Sequence, residues 1–149
     1  MKRIVDVNDH TSHILEQLKK GVLITTKAHD KVNSMTISWG QFGICWGRAI
    51  FTTFVRTGRF THQMLEQNKA FTVNIPMEVR ANKILGFCGT KSGRDFDKVK
   101  ELGLTLVEGD NIDVPGIKEL PLTLECKVIY EQLQDKNAIA DYIKSEFYP

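Results

Sequence analysis

Cysteine is scarce in this chain, and Cys45, Cys88 and Cys126 form an odd set with no Cys-x-x-Cys pair. That spacing excludes a disulfide framework and a zinc ribbon, and it reads as reduced, partly buried thiols in a cytoplasmic protein. Histidine is equally thin. His10, His13, His29 and His62 show no His-Glu-x-x-His or related spacing, so no metal centre is expected. No apolar run approaches the roughly 20 residues that cross a bilayer. The first residues meet Asp6, Asp9 and His10 before any apolar stretch forms, which argues against a signal peptide and against a membrane partner. Charge of one sign is missing as well. The chain carries 20 Lys and Arg against 18 Asp and Glu, a formal +2, with no basic block that suits nucleic acid. Repeats, low-complexity tracts and linkers are absent, so residues 1–149 read as one domain.

What is present suits a globular fold. A chain of 149 residues with 42% hydrophobic and 26% charged residues can bury a core without staples. Residues 11–20 read as a helix with Ile14, Leu15 and Leu18 on one face and Gly21 as its stop. Residues 22–28 and 32–39 read as strands of a hairpin around His29-Asp30-Lys31. A glycine-punctuated loop is expected over residues 40–47, then a strand at 50–55. Residues 60–67 read as a short helix, 71–75 as a strand stopped by Pro76, and 79–88 as a helix closed by Gly89. A helical turn at 95–102 ends at Gly103, and residues 104–107 look strand-like. Residues 122–130 alternate most clearly, with Leu122, Leu124, Cys126 and Val128 on one side. Residues 137–147 are expected as a closing helix with Ile139, Ala140, Ile143 and Phe147 on its apolar face. The sum is a mainly β, β-rich α+β domain. Its order lacks the strand–helix alternation of a doubly wound sheet, and a barrel with short peripheral helices fits better.

Nucleotide signatures fail. Gly40, Gly43 and Gly47 have the wrong spacing for G-x-G-x-x-G, and Thr90 stands where a P-loop needs glycine before Lys91. Three polar clusters remain. The first is Asn33-Ser34-Met35-Thr36-Ile37-Ser38-Trp39-Gly40, a strand end dense in hydroxyls. The second is Arg56-Thr57-Gly58-Arg59-Phe60-Thr61, at a helix start. The third is Gly89-Thr90-Lys91-Ser92-Gly93-Arg94-Asp95. Helix-start N–H groups, hydroxyls and an Arg or Lys are a recurrent way to hold an anion. Each cluster also has a plainer reading: solvent-facing β-formers, a solvated loop with Thr61 as cap, and an ordinary turn before a capped helix. Trp39 and Trp46 suit a core as well as a cofactor. On their own the clusters point to a phosphate-containing ligand and no further.

Read in order, these segments resemble the flavin reductase-like family, whose domain is an FMN-binding split β-barrel of Greek-key type. The likeness runs through Lys20-Gly21-Val22-Leu23-Ile24-Thr25-Thr26, Met35-Thr36-Ile37-Ser38-Trp39-Gly40 and Phe51-Thr52-Thr53-Phe54-Val55-Arg56. It continues through Arg59-Phe60-Thr61, Phe71-Thr72-Val73-Asn74-Ile75-Pro76, Cys88-Gly89-Thr90-Lys91-Ser92-Gly93-Arg94-Asp95 with Asp97-Lys98, and Pro121-Leu122-Thr123-Leu124-Glu125-Cys126. The resemblance implies a homodimer with FMN in a groove at or near the subunit interface. It places Ser34, Met35, Thr36, Ile37, Ser38, Trp39 and Gly40 along the flavin ring, largely through backbone groups. Arg56, Thr57, Arg59 and Thr61 would take the ribityl chain and phosphate. Asn74 and Ile75 would lie near the ring, and Lys91, Ser92 and Gly93 would close over the phosphate side. The activity implied is that of an NAD(P)H-dependent flavin reductase, with NAD(P)H delivering hydride to the flavin and no catalytic residue of the protein's own. Two other readings stay open: an FMN-containing electron-transfer protein reduced by a protein partner, and a non-catalytic FMN-binding module. One departure stands out. Family members usually continue past the last helix into a strand with a His-Thr-x-Tyr-x-Gly-Glu pattern, which this sequence lacks up to Pro149, so an exposed sheet edge is expected.

Overall fold

Residues 2–77 and 81–149 are described by a computed structural model. In chain order its elements are α1 (Thr11–Lys20), β1 (Val22–Ala28), β2 (Lys31–Ile37), β3 (Gly40–Cys45), β4 (Arg48–Thr53), α2 (Phe60–Gln67) and β5 (Ala70–Ile75). They continue with α3 (Asn82–Thr90), α4 (Lys98–Leu102), β6 (Leu106–Val107), β7 (Gly116–Ile117), β8 (Leu122–Lys127) and α5 (Asp141–Phe147). The strands form antiparallel ladders: a four-stranded sheet ordered β2-β1-β5-β8, the β3–β4 hairpin and the short β6–β7 pair. The fold is the expected β-rich α+β class. Among the described residues no helix is long and apolar enough to cross a membrane.

Strand alternation decides which face each residue serves. Val22 and Ile24 of β1, with Phe71, Val73 and Ile75 of β5, pack with Ile37, Ile14 and Leu18 into one core, to which the β3–β4 hairpin adds Phe42 and Phe51. Leu23 points the other way, into a second core with Cys88, Leu104, Ile117 and Leu120. The sheet is therefore covered on both faces, and every residue of β5 is buried. Its outer strands are β2 and β8.

The β1–β2 hairpin turns on His29 and Asp30, whose φ values of 49° and 63° match the right-handed strand twist. Several expectations need correction. The helical turn expected over 95–102 begins only at Lys98, the strand expected over 122–130 ends at Lys127, and Leu15 lies half exposed off the buried face of α1. The stretch expected as a loop at 40–47 is mostly strand. Phe42 faces Phe51 across the ladder, and Trp46 and Gly47 turn with positive φ of 51° and 69°, so pairing overrides the weak local propensity of Gly40 and Gly43. The helix expected to stop at Gly89 runs on to Thr90, with Lys91 as its cap; its expected start at Val79 lies outside the described residues. The closing helix is broken. Asp135 caps a separate 3-10 turn at Lys136–Ala138, Ile139 and Ala140 are extended, and α5 starts at Asp141 with no buried residue. No core face lies under Ile139 and Ala140 to hold the helical period through them.

Candidate functional site

As an outer strand, β2 has only one side paired, to β1. The Ser34 carbonyl lies on the open side, where it accepts from Lys98 Nζ at 2.7 Å. Backbone direction alternates along a strand, so the N–H and C=O of Thr36 face that same edge. The side chains of this segment are otherwise engaged. Ser34 Oγ is buried against Thr25 Oγ1 at 2.8 Å, and Thr36 Oγ1 donates to the Leu85 carbonyl of α3 at 2.6 Å. Met35 and Ile37 pack into the first core. Only Ser38 and Trp39 present side chains to solvent.

The Asn74 side chain, expected near the ring, is fully engaged by neighbouring strands. Its Nδ2 donates to Thr25 Oγ1 at 3.0 Å and to Thr72 Oγ1 at 2.9 Å, while its Oδ1 accepts from the Ile117 N–H at 3.0 Å and Thr123 Oγ1 at 2.8 Å. All four amide valences are used, and the residue is fully buried. Thr72 Oγ1 passes the chain on to the Pro115 carbonyl at 2.8 Å. The Asn74 side chain is thus a structural knot joining β1, β5, β7 and β8. The Ile75 side chain belongs to the first core.

The second and third clusters come together. Arg94 Nη1 donates to the Gly58 carbonyl at 3.2 Å, and its guanidinium lies 5.6 Å from the Phe60 ring centre. Lys31 Nζ donates to the Gly93 carbonyl at 2.6 Å and sits 4.8 Å from the same ring. Gly93 is a true close approach: a Cβ there would strike Asn33 Oδ1 and come within 2.7 Å of Phe60 Cδ1. Thr61 is buried and accepts from Asn33 Nδ2 at 3.3 Å, whereas Arg56, Thr57 and Arg59 are exposed on the loop leading to α2. Ser92 Oγ accepts from the Arg94 N–H at 3.2 Å, and the exposed Lys91 lies 5.7 Å from the Phe96 ring. The four ion pairs among the described residues engage none of Lys31, Arg56, Arg59, Lys91, Arg94 or Lys98. Lys31, Arg56, Lys91, Arg94 and Lys98 lie against carbonyls or aromatic rings instead.

Lys98 is the residue that sequence reasoning missed. It is 2% exposed, and its ammonium donates to the carbonyls of Ser34 and Cys88 at 2.7 and 3.1 Å, tying the open edge of β2 to the end of α3. Burial pulls its pKa below the ordinary lysine value; the Cys88 thiol opposes that shift and Arg59 adds to it. A lysine at a helix start reads as solvated, and only its place in the Asp97-Lys98 pair hinted otherwise. Burial also pushes the Cys88 thiol up to about 11 and Cys126 up to about 12, so both are protonated and inert near neutral pH.

At the other end, Ser38, Trp39 and Gly40 line a cleft of about 370 Å³ with Gln41, Phe54, Gln134 and Tyr148. Arg56 reaches toward the same aromatic group, with its guanidinium 5.6 Å from the Tyr148 ring centre. Beside this cleft, Gly40 pairs with Thr53, whose buried Oγ1 has no hydrogen-bond partner among the described residues. An orphaned hydroxyl of this kind is uncommon in a folded chain and calls for an explanation. The predicted ring segment, the arginine loop and the 91–93 turn are therefore linked in one band, while the side chains of Ser34, Ile37, Asn74 and Ile75 serve the interior.

A family model described as flavin reductase like domain matches residues 5–139. A flavoredoxin of Desulfovibrio vulgaris (Miyazaki F) is similar with a TM-score of 0.69 and 26% identity, over 82% of this chain and 73% of that one. A flavoredoxin from Methanosarcina acetivorans is similar with a TM-score of 0.68 and 27% identity, over 78% of this chain and 60% of that one. An uncharacterized protein of Archaeoglobus fulgidus is 32% identical over 102 residues, which are 68% of this chain and 56% of its own. The chain spans 56% and 59% of the length of the curated relatives it matches.

Proposed function

This chain belongs to the flavin reductase-like domain family, and on that premise we propose that it binds FMN and works as an NAD(P)H-dependent flavin reductase. The observation that carries the reading is the set of cations that have no carboxylate partner among the described residues, with Lys31 and Arg94 at the Phe60 ring and Arg56 beside the Trp39 cleft. Uncompensated cations beside exposed backbone suit an anion. The orphaned Thr53 hydroxyl beside Gly40 suits a ligand that brings hydrogen-bonding groups of its own. Both features fit a phosphorylated flavin. Arg56, Thr57, Arg59, Lys91, Ser92 and Gly93 would hold the phosphate and ribityl chain. The backbone of residues 34–38, with Trp39 and Gly40, would hold the ring. Lys98 would keep the β2 edge and the turn after α3 in fixed relation.

Bound FMN would supply the two-electron chemistry; the chain binds, orients and shields. Backbone donors along the open β2 edge and the buried Lys98 charge favour negative charge placed nearby. Burial keeps the Cys88 and Cys126 thiols protonated, so neither offers a ready thiolate nucleophile. The similarity to two flavoredoxins favours a second reading, an FMN-containing electron-transfer protein reduced by a protein partner. A homodimer accords with the exposed apolar side chains of Ile44, Trp46, Tyr130 and Leu133, among which the Trp46 and Tyr130 rings lie 6.4 Å apart.

An absorbance spectrum of the purified protein, recorded before and after anaerobic NADH and then NADPH, tests the reading. Flavin bands that bleach with either nucleotide support the reductase. Bands that persist with both but bleach with dithionite move the assignment to the carrier. A colourless protein that fails to take up added FMN overturns both.

A further inference from the structure

We propose that α5 is a latch over the flavin site, one that FMN must displace in order to bind; this rests on the flavin reading above. The helix has no buried residue, and its Tyr142 is 72% exposed. A core does not hold it in place. What holds it are residues assigned to the cofactor. The Phe147 ring meets Trp39 edge-on at 5.4 Å, and the Tyr148 ring lies 6.2 Å from the same indole. The Arg56 guanidinium rests 5.6 Å from the Tyr148 ring centre and donates through Nη2 to the Phe147 carbonyl at 3.4 Å. Trp39 and Arg56 thus have partners in the last residues of the chain, and a flavin ring and a phosphate would compete with Phe147 and Tyr148 for them.

The contest favours the ligand. An exposed cation–π contact and a long bond to a neutral carbonyl are weak, whereas a guanidinium–phosphate pair is charge-assisted and frequently bidentate. The latch is therefore closed in the free protein and open in the complex. Its cost is an apparent affinity lowered by the fraction of molecules in which it stands open. Tyr148 also lines the 370 Å³ cleft, so closure narrows access to Trp39 until a ligand arrives.

Two measurements on the full chain test this. FMN titrations followed by flavin fluorescence compare the unmodified protein with Tyr148→Ala and with Phe147→Ala/Tyr148→Ala. Loss of the clasp should tighten FMN roughly 3–10-fold. Hydrogen exchange of amides 141–148 in the unmodified protein should quicken when FMN is added, a readout that needs no variant. Equal or weaker FMN binding by the variants, or slower exchange with FMN, overturns the latch and makes α5 a wall of the site. If neither the unmodified chain nor the variants bind FMN, the flavin reading itself fails, and the latch with it. Binding with equal affinity across the set overturns the latch alone.

Discussion

Asn74 and Arg59 show how differently two polar regions of this molecule are used. Around Asn74 every valence is closed: the amide makes four hydrogen bonds, and the buried Thr25, Ser34 and Thr72 and the half-buried Thr123 complete the network. Around Arg59 the groups stay open. Arg56, Lys91 and Arg94 meet carbonyls and rings, and among the described residues neither they nor Arg59 pair with a carboxylate. A closed network rigidifies, because each member left unpaired would carry its full desolvation cost. An open band keeps its interaction energy for something that arrives later. Polar residues alike in type are therefore scaffold in one place and ligand-facing in the other.

Breaking the closed side should give the largest effect. Asn74→Ala strips partners from the Ile117 N–H and three threonine hydroxyls at once. It should cost about 3 kcal/mol or more of unfolding free energy, read as a lower denaturant midpoint. On the open side the pattern inverts. Arg59→Ala should leave stability within about 0.5 kcal/mol, as surface changes do. It should weaken FMN by roughly 10–100-fold, the worth of one charge-assisted bond, while riboflavin, which lacks the phosphate, changes little. Equal losses for both flavins would remove Arg59 from the phosphate site. Thr53→Val sharpens the comparison with the smallest change. Removing an orphaned buried hydroxyl at constant shape should stabilise the ligand-free protein by about 1 kcal/mol and yet weaken FMN. A loss of stability instead would show that the hydroxyl already has a partner.

Much of the architecture was legible from local pattern. Ile14 and Leu18 of the expected apolar face of α1 are buried and Gly21 ends the helix, whereas Leu15, expected beside them, is 50% exposed; the β-branched run at 22–28 is a strand as expected, and its burial on both faces is a tertiary result. Gly103 marked the stop of α4, but the turn expected from Asp95 begins only at Lys98, because the Asp97 side chain takes the cap by accepting from the Lys100 N–H. The β3 strand was hidden because glycines signal turns locally, and only the Phe42–Phe51 pairing across the ladder reverses that signal. The break at Ile139 and Ala140 was hidden because helical periodicity persists in a sequence even where no core exists to receive it.

The site divides along the same line. Residue chemistry by itself determined that hydroxyls, amides and cations cluster in three segments, that neither disulfide nor metal spacing exists, and that the order of the segments resembles one family. Only the tertiary structure decided which of those groups are spent. Asn74 and Ser34 lie where neighbouring strands supply complementary donors and acceptors, so their side chains are consumed by the fold. Arg56 and Arg94 lie on loops where they meet carbonyls and rings, and among the described residues no carboxylate pairs with them or with Arg59. Lys98 was carried from an apparently solvated helix start into the interior by two carbonyls meeting at one point. Satisfaction of a polar group depends on partners distant in sequence, and that is why three-dimensional pairing, and not residue type, separates scaffold from site.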